Sequence, residues 1–249
     1  MSERWPILSK PPVDIALFQL KFDMSDSTLA AFTNLEARII ADFPIRKQAL
    51  ATEFNFLDSK IPLGVSQVTG TSKTKVSGYL YLSADQKRKI EIKEGFFTFI
   101  EENPYLGWDH FTSNVNRFLR AFGEVFENHL ITRISIRFIN RFVLPDFENP
   151  LDYFKTTIST AEDGAIPYPV GQYAFNLMLP VSDSTYSIVK QEFDTVSDQV
   201  NYIFDIDVLN RSNLIFDIDL ILSVLSDLRK IKNDVFFGNV TDKLLQLCS

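Results

Sequence analysis

The stretch Ile131-Thr-Arg-Ile-Ser-Ile-Arg-Phe-Ile-Asn-Arg-Phe-Val-Leu144 decides the fold. Its even positions Ile134, Ile136, Phe138 and Phe142 are apolar, while its odd positions carry Arg133, Ser135, Arg137 and Arg141. Successive side chains on a strand point to opposite faces, so the spacing predicts a long strand with one face in the core and a polar face opposite. Just before it, Phe111, Val115, Phe118, Leu119, Phe122, Val125 and Phe126 recur at i, i+4, i+7, i+8, i+11, i+14 and i+15, the spacing of an amphipathic helix. A one-faced helix and a one-faced strand must cover each other.

Working toward the N-terminus, three short strand-forming runs form an antiparallel meander: Val76 to Leu82, Lys89 to Glu94 and Phe96 to Ile100. Ile45 to Thr74 has weaker patterns and predicts one short strand, Glu53 to Leu57, and a polar loop. Ahead of it, Leu29, Phe32, Leu35, Ile39 and Phe43 mark a helix stopped by Pro44, and Val13 to Phe22 is apolar on both strand faces. Toward the C-terminus, Pro145 to Pro169 is rich in proline and acids with one helix candidate, Leu151 to Ile158. Strands are then predicted at Tyr173 to Leu179, Thr185 to Phe193 and Val200 to Val208, and a helix at about Asp217 to Phe236 ending at Gly238. Thr241 can cap a short last helix through Leu247.

Helices therefore bracket hairpins instead of alternating with single strands. This predicts an α+β protein of mostly antiparallel sheets with packed helices, in two sheet-containing lobes that share a core. Residues 1–145 form the first lobe, 146–169 a connector and 170–249 the second lobe. Phe18, Phe22, Phe118, Phe122, Ile136, Phe138, Phe204 and Leu225 are expected in the core.

The 249 residues contain 25 Lys and Arg against 32 Asp and Glu, a net charge of −7, which argues against a general nucleic-acid groove. One cysteine, Cys248, excludes an internal disulfide framework and multi-thiolate zinc sites, and fits a reducing cytoplasm. Met1 to Lys10 lacks the apolar core of a signal peptide, and every apolar run is too short to span a bilayer. Gly64-Val-Ser-Gln-Val-Thr-Gly70-Thr-Ser-Lys73 lacks the spacing and the Gly-Lys of a phosphate loop, and no Gly-x-Gly-x-x-Gly occurs. His110 and His129 are too far apart for a helical zinc pair. No cofactor is expected.

Three constellations carry candidate chemistry. Asp85 with Glu91-Ile92-Lys93 matches the acid and Glu-x-Lys of metal-dependent nucleases, where carboxylates hold Mg²⁺ and lysine stabilises phosphate charge. The same residues fit cross-strand charge pairs on a solvent face. Asp205 and Asp207 would face the same way about 7 Å apart on a strand and are the candidate metal ligands. Arg133, Arg137 and Arg141 form a stripe with about 13 Å between neighbours on one strand face, a candidate ligand site. The favoured reading is an internal ion pair in which Arg137 or Arg141 is bonded to Asp205 or Asp207, because a carboxylate accepts the planar arginine fork.

Four segments in order, Pro11-Pro12-Val13, Tyr105-Leu-Gly-Trp108, Arg137-Phe-Ile-Asn-Arg141 and Asp205-Ile-Asp207 followed by Val240-Thr-Asp242, resemble an uncharacterised, sporadically distributed bacterial and archaeal protein family of similar length. The resemblance implies a bacterial cytoplasmic protein of patchy occurrence, the pattern of mobile or phage-defence genes, and supplies no catalytic residues. Together with 23 phenylalanines, effective contact anchors, these features point to a non-enzymatic protein-interaction or regulatory module with a protein partner or a second copy. The alternative is a metal-dependent nuclease or another phosphate-handling enzyme.

Overall fold

The computed structural model describes residues 5–23, 29–56, 70–93, 95–126, 128–144, 150–157, 172–194, 200–211 and 213–249. Among them the elements run β1 (Val13–Phe22), α1 (Leu29–Ile39), β2 (Ile45–Phe56), β3 (Gly70–Leu82), β4 (Arg88–Lys93), β5 (Phe96–Glu102), α2 (Trp108–Phe126), β6 (Leu130–Leu144), β7 (Gln172–Pro180), β8 (Thr185–Asp194), β9 (Val200–Asn210), β10 (Leu214–Ile215), α3 (Ile218–Asn239) and α4 (Asp242–Leu247).

The α+β class with antiparallel strands is observed, but the strands expected in two lobes form one sheet. Its order is β2-β3-β4-β5-β1-β6-β9-β8-β7, with β10 paired to the start of β6. The join is β6: at 15 residues it pairs along one edge with β1, Ala16 opposite Phe138, and along the other with β9, Phe138 opposite Ile206. A strand apolar on one face still offers hydrogen-bonding groups on both edges, and here both are taken. Each half follows the same path, its first strand lying beside the last strand of its own meander: β1 beside β5, β6 beside β9. The two first strands, β1 and β6, meet antiparallel at the centre.

The helices lie on the face formed by the even residues of β6. Phe118 of α2 meets Phe99 of β5 at 5.2 Å between ring centroids, Phe122 meets Phe22 at 5.1 Å, and Phe236 of α3 stacks on Phe204 at 5.9 Å. One continuous core results, and all eight residues expected in it are buried. Burial of rings on both layers supplies the main driving force, about 25 cal/mol per Å² of apolar area. Among the described residues no helix contacts the opposite face, which carries Gln19 and Lys21 of β1, Thr98 of β5, Arg133, Arg137 and Arg141 of β6, Asp205 and Asp207 of β9, and Lys190 and Glu192 of β8.

Local differences from the predicted elements have physical reasons. β2 and β3 are longer than their hydrophobic patterns because backbone pairing, from Ile45 opposite Leu82 to Phe56 opposite Gly70 with one register shift between Ala49 and Leu50, needs no apolar alternation. Leu151 to Ile158 holds only a 3₁₀ turn at Pro150–Asp152 in its described part, after which Phe154 bridges to Val240 and stacks on Tyr202. The last long helix passes through Gly238 to Asn239 and starts behind Asp217, whose side chain accepts from the Leu220 amide. Residues 57–69 of the predicted strand and polar loop, and Glu94 at the end of the second meander run, lie outside the described residues.

Candidate functional site

On the helix-free face the arginine stripe is built into the sheet. Arg137 grips Asp205 on the neighbouring strand: Nε donates to Oδ1 at 2.9 Å and Nη2 to Oδ2 at 2.6 Å. This meets the expectation of an internal ion pair, and the bond raises the Arg137 pKa. Arg141 Nε reaches Oδ2 of Asp14 at 3.1 Å. Arg133 donates to the Gln19 side-chain carbonyl and lies 5.7 Å from the centre of the Phe96 ring. Each arginine of the stripe thus has a neighbour from another strand.

Asp207 stands directly opposite Arg137 in register, yet its Oδ1 is buried and makes no hydrogen bond among the described residues. Burial pushes its carboxyl up to about 6, while Arg137 and Arg133 pull the other way. Asp205 and Asp207 share a face as the spacing predicts, but Asp205 is held by an arginine, which competes for the oxygens a metal would need. Among the described residues no three His, Cys, Asp or Glu side chains are grouped to hold a metal ion.

The hairpin acids do not converge. Asp85 sits in the β3–β4 turn, accepting from the Ser83 hydroxyl at 2.6 Å and the Lys87 amide at 3.1 Å, and these bonds lower its pKa. Glu91 is on β4, opposite Thr98 and Leu80, and pairs with Lys93 at 2.6 Å. Lys89 is bonded to Glu102. These are the cross-strand and same-strand charge pairs of a solvent face.

A cavity of about 160 Å³ lies at the other side of β6, between α3, the start of α2 and the N-terminal segment. Three of the four segments quoted above meet in it: Pro11, Pro12 and Val13; Tyr105, Gly107 and Trp108; and Asn140. Gly107, at φ +100°, adopts a conformation that L side chains rarely take and so lets Tyr105 and Trp108 face one cavity. The segment is tied down by Lys10 N–H to the Cys248 carbonyl at 3.0 Å and by Arg141 N–H to the Pro12 carbonyl at 2.9 Å. Helix α3 adds Arg229 and Lys232, the first 5.0 Å from the Trp108 ring centre and the second 4.5 Å from that of Phe138.

Lys232 is surrounded by protein but keeps access to the cavity, and burial together with Arg229 pushes its amine down to about 7. Tyr105 is pushed well above its ordinary value by burial. Neither Lys232 nor Arg229 is conspicuous in the sequence, where Arg229-Lys230-Ile231-Lys232 has the composition of a solvated helix face. The available signal is periodicity: Lys232 is seven residues after Leu225 and four before Phe236, within the apolar stripe. Comparison with known protein families and with curated proteins found no match for this chain.

Proposed function

We propose that this protein is a non-enzymatic protein-interaction module of a bacterial cytoplasmic system, of the defence-associated kind, and that it binds its partner by strand addition. The observation that carries this is the edge strand β7. Gln172-Tyr-Ala-Phe-Asn-Leu-Met-Leu-Pro180 contains no charged residue, it ends the sheet among the described residues, and Met178 is 69% exposed. An uncharged edge with unpaired backbone groups is a template for another strand. The opposite edge, β2, begins Ile45-Arg-Lys-Gln, and such charges discourage pairing.

The occupant that fits is an uncharged, apolar extended segment, and β7 of a second copy meets that description, since antiparallel self-pairing juxtaposes no like charges. No membrane is invoked: no helix among the described residues is long and apolar enough to cross one. The enzymatic alternative draws less support, because Asp85 is held by Ser83 in its turn while Glu91 and Lys93 are paired with each other.

The test combines sedimentation velocity of the purified protein with mass spectrometry of what co-purifies with the tagged chain, each repeated for Asn176→Lys. Self-association or a stable complex that is lost in Asn176→Lys supports the proposal. A monomer that captures the same proteins with or without the substitution refutes the edge, and Mg²⁺- or Mn²⁺-dependent nucleic-acid cleavage abolished in Glu91→Ala or Asp205→Ala refutes the non-enzymatic reading.

A further inference from the structure

We infer that the cavity between α3 and the N-terminal segment binds a small organic carboxylate with a flat apolar body, the carboxylate held by Lys232 and Arg229. The walls set the ligand's chemistry. Trp108, Tyr105, Phe236 and Pro12 supply apolar surface, two cations project from α3, and no Asp or Glu lines the cavity among the described residues. The size, about 160 Å³, is that of a site for a single six-membered ring, since a cavity of about 150 Å³ accommodates benzene.

The state of Lys232 is the second, independent observation. Its amine lies over the Phe138 ring with no carboxylate in ion-pair contact among the described residues, and Arg229 is the one charge that acts on it. Of the acids on the neighbouring elements, Glu101 of β5 contacts His110 and Asn114 of α2 at 3.3 Å, and Glu101 and Asp109 both act electrostatically on Tyr105 of the cavity wall. A ring face compensates only part of the desolvation of an ammonium, consistent with the amine titrating near neutrality. A bound carboxylate would supply the missing counter-charge, with the planar Arg229 fork as a matching partner.

The inference does not depend on strand addition at β7, which is a different surface. Its test is a titration of the full-length protein with benzoate, followed by NMR line shifts, with benzamide as the neutral isostere. A fragment of this size should bind with Kd on the order of 1 mM. Benzamide should bind at least about tenfold more weakly, and Lys232→Met should weaken benzoate by about tenfold or more, as expected for loss of a charge-assisted contact. Lys230→Met, which removes an exposed cation of the same helix, should leave binding unchanged.

Raising the pH from about 6.5 to about 8.5 should weaken benzoate by about tenfold or more in the parent protein, approaching the loss in Lys232→Met, and leave the residual binding of Lys232→Met flat, because the charged amine makes the contact that the substitution removes. Lys232→Gln serves as a second variant where circular dichroism shows Lys232→Met misfolded. Equal affinity for benzamide and benzoate, or benzoate binding unaffected by Lys232→Met and Lys232→Gln, overturns the inference. So does the absence of any shift at about tenfold the expected Kd with the protein folded.

Discussion

Removing Arg137 should cost far more than neutralising the carboxylate it holds. The asymmetry comes from exposure: the Asp205 side chain is 7% exposed and that of Arg137 43%. In Arg137→Met, Asp205 is left as a buried anion beside Asp207, which has lost the same neighbour, and a stranded buried charge costs about 3 kcal/mol or more. In Asp205→Asn, the half-exposed guanidinium regains water and stands directly opposite Asp207, so the loss is that of a few solvated charge-assisted bonds, about 1 to 1.5 kcal/mol. The double variant should cost less than the two singles together by about 1 to 2 kcal/mol, since removing the second partner abolishes the strandedness the first created.

Urea unfolding of the four proteins near neutral pH, with unchanged m-values, gives these numbers directly. The Arg137→Met penalty should shrink as the pH falls, because Asp207, held down by Arg137 in the parent protein, takes up a proton more readily without it. Equal costs for the two single variants, or strict additivity in the double, would refute the claim that burial of Asp205 governs the pair.

Asp207 titrates higher in the folded protein, at about 6, than its ordinary 3.8, so the native state binds more protons than the unfolded chain between those values and stability falls as pH rises through the window. Asp207→Asn should therefore gain about 1 to 2 kcal/mol near neutral pH and nothing near pH 4, the full shift being discounted for partial solvent access; thermal unfolding at the two pH values checks this. Phe122→Ala removes a fully buried ring that contacts Phe22, Phe97, Phe126 and Phe216, and should cost about 3 to 5 kcal/mol by urea unfolding. A loss under about 1 kcal/mol would place that helix face outside the core. Gly78→Ala puts a methyl 1.9 Å from the Ile92 carbonyl oxygen on the paired strand, so hydrogen exchange should accelerate across β3 and β4 and stability fall by at least about 2 kcal/mol.

The identity of most elements was legible in the residues because a strand or a helix declares itself through the period of its own apolar positions. Val13 to Phe22, Phe111 to Phe126 and Ile131 to Leu144 carry that signal within about 20 residues, and in the last two the same period told which side chains would be buried, whereas β1, apolar on both faces, fully buries only the face of Ala16, Phe18, Leu20 and Phe22. The Arg137–Asp205 pair was legible as a chemical match, one fork and one carboxylate on polar strand faces. Which strands would lie side by side was not. Edge pairing is made by backbone groups common to every residue, so nothing local in β6 states that β1 takes one edge and β9 the other, and two expected sheets became one. The same holds for the cavity: Pro12, Trp108, Asn140 and Lys232 are far apart in the chain, and the buried character of Lys232 belongs to the packing of α3 against β6, not to its helical neighbours. Periodicity is a property of a segment, whereas strand order and the charge environment of a lysine are properties of what folds against it.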